Sequence, residues 1–155
     1  MLVDRYVGDR ELLRPFFREA DDSEQQIDTY LDLGAVFVAE DDGEIIGHPQ
    51  LITANDTAEL KSMAVAESRR GTGVGRALVQ AALEHCRQTT ATRLLVATAA
   101  ADVGNLRFYQ RQGFRMLRVE RDAFVASTGY PDGIVIDGIP LRDRVWLSHD
   151  LSGES

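Results

Sequence analysis

Glu59-Leu60-Lys61-Ser62-Met63-Ala64-Val65, followed after a short polar connector by Arg69-Arg70-Gly71-Thr72-Gly73-Val74-Gly75-Arg76, is the stretch on which the fold turns. The first part lies in a segment, Ala58 to Val65, that reads as a strand. The second opens a segment from Gly73 to about Arg87 in which Val74, Ala77, Leu78, Ala81 and Ala82 recur at helical spacing. The order is strand, glycine loop, helix. Glycines at 71, 73 and 75 let the backbone approach a ligand closely, and the first turn of the helix leaves N–H groups free at the positive end of its dipole. Such a loop seats an anionic group, phosphate above all, although a glycine-rich turn standing alone has the same composition.

The known phosphate loops differ in the residues just after the last glycine. A P-loop needs Lys and then Ser or Thr, whereas Gly75 is succeeded by Arg76-Ala77, so nucleoside triphosphate hydrolysis is disfavoured. A dinucleotide fingerprint starting at Gly71 needs a small residue at 76 and an acid at the end of the next strand. The chain has Arg76 and Leu94-Leu95-Val96 there. Both standard nucleotide motifs fail.

Outward from the loop, Leu2 to Val7 reads as a strand, and Asp9 to Ala20 and Ser23 to Leu33 as helices stopped by Gly34. Ala35 to Ala39, the turn Asp41-Asp42-Gly43 and Glu44 to Gly47 read as a β-hairpin. Downstream come a strand at Arg93 to Thr98, an amphipathic helix at Asp102 to Gln112 closed by Gly113, a strand at Phe114 to Phe124 and a last strand at Arg144 to Ser148. Gly129 to Gly133 and Gly138-Ile139-Pro140 punctuate a loop before that last strand, and the tail from Ser152 is expected to fray. A strand-rich first half and alternating strands and helices thereafter indicate a mixed sheet in one α/β or α+β domain over residues 1–150, with 151–155 as the tail.

The composition narrows the function. The chain has 155 residues, 44% hydrophobic and 27% charged, and no apolar run approaching the roughly 18 residues of a membrane span. The opening Met1-Leu2-Val3-Asp4-Arg5 carries an acid early and resembles no signal or transit peptide, so a cytoplasmic location is expected. A net charge of -8 disfavours nucleic acid as partner. Cys86 is the single cysteine, so neither an internal disulfide nor a thiolate-rich zinc site can form, and none of His48, His85 and His149 has a partner at metal-ligand spacing. No metal is expected. His48, before Pro49, sits in an edge-like segment, His85 near the apolar stripe of the long helix, and Cys86 reads as a small hydrophobe.

What remains, Arg70-x-x-Gly73-x-Gly75 between a strand and a helix, resembles the acetyl-CoA motif of the GCN5-related N-acetyltransferases. Downstream, Asn105-Leu106-Arg107-Phe108-Tyr109-Gln110-Arg111-Gln112-Gly113-Phe114 is similar to the second signature of that family, an Asn followed four residues on by Tyr and then Gly-Phe at the helix end. The resemblance implies a mostly antiparallel twisted sheet flanked by helices with a splayed central strand pair, and acetyl-CoA as co-substrate. It further implies that Met63, Ala64 and Val65 offer backbone groups to the pantetheine arm, with the Met63 N–H toward the thioester carbonyl. The N–H groups of Gly71, Thr72, Gly73, Val74, Gly75 and Arg76 would hold the pyrophosphate, with Arg70 adding charge at the loop entrance. Arg69 reads as surface, and Arg76 is open between phosphate contact and surface. Tyr109 would be the proton donor to the departing thiolate, and Asn105, on the same helical face four residues earlier, a contact to the cofactor or its loop.

Glu59 matches the glutamate that some similar enzymes use as general base. It lies four residues before Met63, on the same side of a regularly pleated strand, roughly 13 Å away at about 3.3 Å per residue, so a water relay or a bend in the strand is needed. A rim carboxylate paired with Lys61 is the alternative. The acceptor would be contacted by the region Asp9 to Leu33 and the loop Val125 to Leu141. There Asp21, Asp22, Glu24, Asp28 and Asp32 fit either a cleft for a cationic amine or a solvated face, and Tyr130-Pro131-Asp132 either a lid or a turn. The resemblance thus implies transfer of acetyl to the primary amine of a small molecule. Acetylation of a protein N-terminus or lysine, or a CoA-binding regulatory module without turnover, stands as the alternative. Dimers are common among similar proteins, so a homodimer is allowed for.

Overall fold

A computed structural model describes residues 1–152, so the expectation of a frayed tail falls for the most part outside the described residues. The strands are β1 (Leu2–Arg5), β2 (Ala35–Asp41), β3 (Glu44–Ala54), β4 (Thr57–Val65), β5 (Arg93–Ala99), β6 (Arg115–Glu120), the two-residue β7 (Val135–Ile136) and β8 (Ile139–Pro140), and β9 (Arg144–Asp150). The helices are α1 (Arg14–Ala20), α2 (Glu24–Tyr30), α3 (Val74–Arg87) and α4 (Val103–Arg111). A seven-stranded sheet runs β1-β2-β3-β4-β5-β9-β6, and β7 and β8 pair separately in the loop before β9. Only the β4–β5 pair in the large sheet is parallel. No helix among the described residues is long and apolar enough to cross a membrane.

Element types follow the sequence, while several boundaries move. The first helical segment begins as a 3-10 turn, Arg10–Leu13, and α1 starts at Arg14 with Pro15 in its first turn, where a missing N–H costs nothing. Ser23 caps α2 by accepting from the Gln26 N–H, and Asp102 caps α4 by accepting from the Asn105 N–H. The hairpin is longer than its apolar runs suggest: β3 continues through Pro49 to Ala54, and β6 is shorter than the Phe114–Phe124 run.

The two faces of the sheet carry separate cores. Helix α3 buries Val74, Leu78, Val79, Ala82, Leu83 and Cys86 on one face. Leu51, Ala58, Leu60, Leu94, Val96 and Leu147 from the sheet and Tyr109 from α4 pack with this stripe. Each such leucine contributes roughly 1.5–3 kcal/mol by leaving water. Cys86 is fully buried and burial pushes its thiol up to about 11, so it packs as a hydrophobe. On the other face Leu13, Phe17, Ile27, Tyr30 and Leu31 of the α1–α2 region cover Val36 and Val38.

His48 does not occupy the edge segment expected of it. It lies mid-sheet with 0% exposure, stacked on Phe17 at 4.5 Å, its Nε2 2.9 Å from the Ser62 hydroxyl. Pro49 is tolerated because pairing with β2 lapses between Val36↔Gln50 and Ala39↔Gly47, where proline has no N–H to give. Burial holds the imidazole neutral, its pKa lowered to about 3. The unfolded chain takes up a proton below about pH 6.5 that the native chain refuses, so stability at neutral pH is lost as pH falls, at about 1.4 kcal/mol per unit. Denaturant melts at pH 6.5 and 5 are expected to differ by about 2 kcal/mol more in the native protein than in His48→Gln.

Candidate active site

Sheet pairing between β4 and β5 runs only from Thr57↔Arg93 to Leu60↔Val96, while β4 continues to Val65 and β5 to Ala99. Beyond Leu60 the two strands part, leaving Lys61 to Val65 without a partner on the β5 side. The cause is visible in β4: Gln50 faces Ser62 but Leu51 faces Leu60, so Lys61 is an extra residue, a bulge that bends and twists the strand. Into this gap opens a cavity of about 700 Å³, walled by the glycine loop at one end and by Tyr30, Phe124 and Tyr130 at the other.

At the loop end, Gly71 and Gly73 take φ of +75° and +92°, and Gly73 sits immediately before the first residue of α3. None of the N–H groups from Gly71 to Arg76 donates to a backbone acceptor; the first intrahelical bond of the turn runs from the Ala77 N–H to the Gly73 carbonyl. The result is a run of free donors at the head of a 14-residue helix, the arrangement that binds a diphosphate. Gly75 serves a different end. A Cβ there would stand 3.1 Å from the Phe108 ring, so its missing side chain lets α4 pack on α3, while its N–H still belongs to the run of donors. The Arg70 guanidinium donates to the Val65 carbonyl at 3.3 Å and to the Glu19 carboxylate at 3.1 Å, which keeps it at the loop entrance. Arg69 is bound to Asp41 at 2.5 Å and anchors the connector, more than the plain surface residue its sequence suggests. Arg76 is exposed and lines the cavity.

Tyr109 reaches the same cavity from α4, 5% exposed, its ring edge-on to Phe108 at 5.2 Å and Phe114 at 5.5 Å. Burial, and secondly the Asp102 carboxylate, raise the phenol pKa above its ordinary value, so the group carries its proton throughout the neutral range. Asn105 lines the cavity, and its amide donates to the Thr98 hydroxyl of β5 at 3.3 Å.

Glu59 is displaced from its expected place. Ala58 and Leu60 pack toward α3, and Met63 also packs toward α3, so the bulge at Lys61 restores to Met63 the face that Leu60 occupies. Glu59 therefore projects to the opposite face from Met63, contrary to the regular pleat. Its carboxylate lies 3.9 Å from the Lys61 ammonium, which sits over the Tyr30 ring at 4.8 Å. Glu59 still lines the cavity, because the cavity passes through the gap between strands. With Glu59 on the face opposite Met63, Glu59→Gln is expected to lower kcat/KM no more than about tenfold, well short of the ~10²–10⁴ of a direct base. A pH profile of both proteins checks this.

The far wall joins Asp21 and Tyr130, each open to two readings in the sequence, with Tyr30, which the sequence did not single out. Tyr30 and Tyr130 both donate to Asp21, at 2.7 and 2.8 Å, one hydroxyl to each carboxylate oxygen. Gln26 donates to the Thr128 carbonyl at 2.8 Å. Together these contacts fasten the loop between β6 and β9 onto the α1–α2 connection, and Ile136 and Leu141 of that loop line the cavity. Glu24 and Asp28 are instead tied to Arg14 on the surface. Among the described residues no group of three or more His, Cys, Asp and Glu side chains is placed to hold a metal ion.

The sequence profile of the acetyltransferase (GNAT) family matches residues 9–114, from the first helical turn through Phe114. The chain belongs to the GNAT acetyltransferase family. Among its relatives is the uncharacterized N-acetyltransferase YvbK of Bacillus subtilis strain 168, 33% identical over 133 residues that make up 85% of this chain and 84% of YvbK. An IAA acetyltransferase from Bacillus cereus ATCC 14579 superimposes with a TM-score of 0.87 at 32% identity, over 96% of this chain and 98% of that one. A GNAT acetyltransferase from Elizabethkingia anophelis with acetyl-CoA bound has a TM-score of 0.88 at 27% identity, over 96% and 97% of the two chains. The enzyme is thus an N-acetyltransferase, and the mostly antiparallel sheet with its parted β4–β5 pair is the GNAT architecture. The two motifs that pointed to the family, Arg70 to Gly75 and Asn105 to Phe114, meet at this GNAT cavity. The residues that sequence reasoning missed, Glu19, Thr98, Phe124 and Arg144, carry no local pattern and enter only through the fold.

Proposed function

We propose that the enzyme transfers acetyl from acetyl-CoA to the primary amine of a small molecule by direct attack of the amine on the thioester. The observation that carries the donor half is the run of free N–H groups from Gly71 to Arg76, with Arg70 beside it and Tyr109 on the same cavity. The N–H groups hold the diphosphate, and Met63, Ala64 and Val65 border the pantetheine arm along the parted strand. The Ala66 N–H donates to the Ile46 carbonyl, so by the alternation of an antiparallel ladder Pro49↔Met63 is a non-hydrogen-bonded pair and Met63 turns its backbone groups away from β3, toward the parted side. The Met63 N–H polarises the thioester carbonyl as negative charge develops on its oxygen. The amine nitrogen forms its bond to the carbonyl carbon, the C–S bond breaks, Tyr109 gives its proton to the departing thiolate, and the nitrogen loses its extra proton to water. Asn105, bound to Thr98, steadies the β5 side of the cleft.

The acceptor half is supported by the far wall. The loop fastened to Asp21 bounds the cavity there with Tyr130, Ile136 and Leu141, a volume that fits a small molecule, where a protein lysine or N-terminus would call for a groove running along Met63. Release of free thiol from acetyl-CoA, followed across small amines and across peptides with free N-termini or lysines, tests the assignment. Turnover on small amines above peptides is the expected result. Tight CoA binding without turnover on any amine would make the chain a regulatory module, and a preference for peptides would move the acceptor to protein.

A further inference from the structure

We propose that the acceptor carries a carboxylate beside its reacting amine and that Arg144 binds it. This rests on the small-molecule reading above and names the class of molecule.

The acids and bases of the acceptor end are unequally satisfied. Asp21 receives two tyrosine hydroxyls and Glu19 is engaged by Arg70. The two cations there are not so served. The Lys61 ammonium finds its nearest carboxylate, Glu59, only at 3.9 Å, beyond hydrogen-bond distance. Arg144 spends one N–H on Glu120 at 3.4 Å, and that same carboxylate oxygen already accepts from the Trp146 indole at 3.0 Å. Four of the five guanidinium donors are left over, from the donor inventory of arginine.

Both cations are also held in place. Lys61 lies over the Tyr30 ring at 4.8 Å and Arg144 over the Phe124 ring at 4.8 Å. Between them the wall is continuous: Tyr30 to Asp21 to Tyr130 through hydrogen bonds, then Tyr130 edge-on to Phe124 at 5.0 Å. Lys61 and Arg144 are therefore the two ends of one arc on the cavity wall. A guanidinium held over a ring keeps its unspent N–H donors, and two of them in parallel match a carboxylate. Arg144 is the first residue of β9, with its side chain 25% exposed, so it is fixed by a strand and partly out of water, the conditions under which an anion gains most. Asp22, the remaining acid of this wall, has its carboxyl pushed up by burial and by Asp21.

The test is a matched acceptor series: an amino acid, its carboxamide and its decarboxylated amine, assayed by thiol release. The native enzyme is expected to prefer the acid in kcat/KM by at least about tenfold. Arg144→Gln is expected to abolish that preference by raising the acceptor KM while the KM for acetyl-CoA stays unchanged, which also reports a folded cofactor site. Arg144→Lys should retain part of it. Equal or better use of the decarboxylated amine by the native enzyme, or a preference that survives Arg144→Gln, overturns the proposal and leaves the small-molecule assignment standing. No turnover on any amine overturns both.

Discussion

Replacing Tyr109 by phenylalanine is expected to lower kcat by about a thousandfold while the KM for acetyl-CoA stays within about threefold. The substitution removes one hydroxyl and leaves the ring between Phe108 and Phe114, so the packing of α4 on the sheet persists. That hydroxyl faces the cavity, and its ionisation is shifted by burial and Asp102 with no hydrogen-bond partner involved. Folding stability should then change by less than about 1 kcal/mol. What is lost is the proton for a leaving thiolate, which must otherwise come from water. Two readouts separate this role from a structural one. With an acetyl thioester whose thiol is more acidic, the leaving group needs its proton less and the defect should shrink. The pH profile of the native enzyme should rise as the acceptor amine deprotonates, with no fall from Tyr109 until well above pH 10, because the raised phenol pKa keeps the acid form in place. A defect that is the same for both thioesters would remove Tyr109 from the proton path.

The donor half of this site was legible in the sequence because its chemistry is local. Gly71, Gly73 and the head of α3 are consecutive, and Asn105 and Tyr109 are one helical turn apart, so two short motifs that resemble the family's signatures were enough to single them out, and both line one cavity. The acceptor half is written in pairs distant along the chain. The Asp21–Tyr130 bond joins residues 109 positions apart, and nothing in either neighbourhood announces it. Glu59 was misplaced for a narrower reason: a single inserted residue at Lys61 reverses the face of everything beyond it, and no residue from Leu60 to Val65 marks a bulge in advance. His48 misled through Pro49, which argues against a central strand unless a neighbouring pairing lapses, as it does here. Gly75 was credited to the loop alone, although it also faces Phe108 across the two helices.

Gly73→Val is expected to weaken CoA binding by about a hundredfold, the loss of one or two hydrogen bonds to a charged group at roughly 1.5–3 kcal/mol each. Gly73 combines a φ of +92° with open space: a Cβ there would meet no heavy atom within 4 Å. A β-branched residue is therefore not excluded by collision in the free protein, and its penalty comes from two sources that can be measured apart. Holding valine in the left-handed region costs of order 1–3 kcal/mol of stability. Its methyl groups also stand in the space at the head of α3 that the diphosphate must enter to reach the N–H groups. Gly43, in the β2–β3 turn, supplies the control, because it has a φ of +78° and equally open surroundings but lies outside the cavity lining. Gly43→Val should lose stability much as Gly73→Val does and keep native CoA affinity. Calorimetric titration with CoA beside thermal melts of both variants gives the two quantities. If Gly73→Val bound CoA within about threefold of the native protein at the same stability loss, the backbone amides from Gly71 to Arg76 would not be the diphosphate seat.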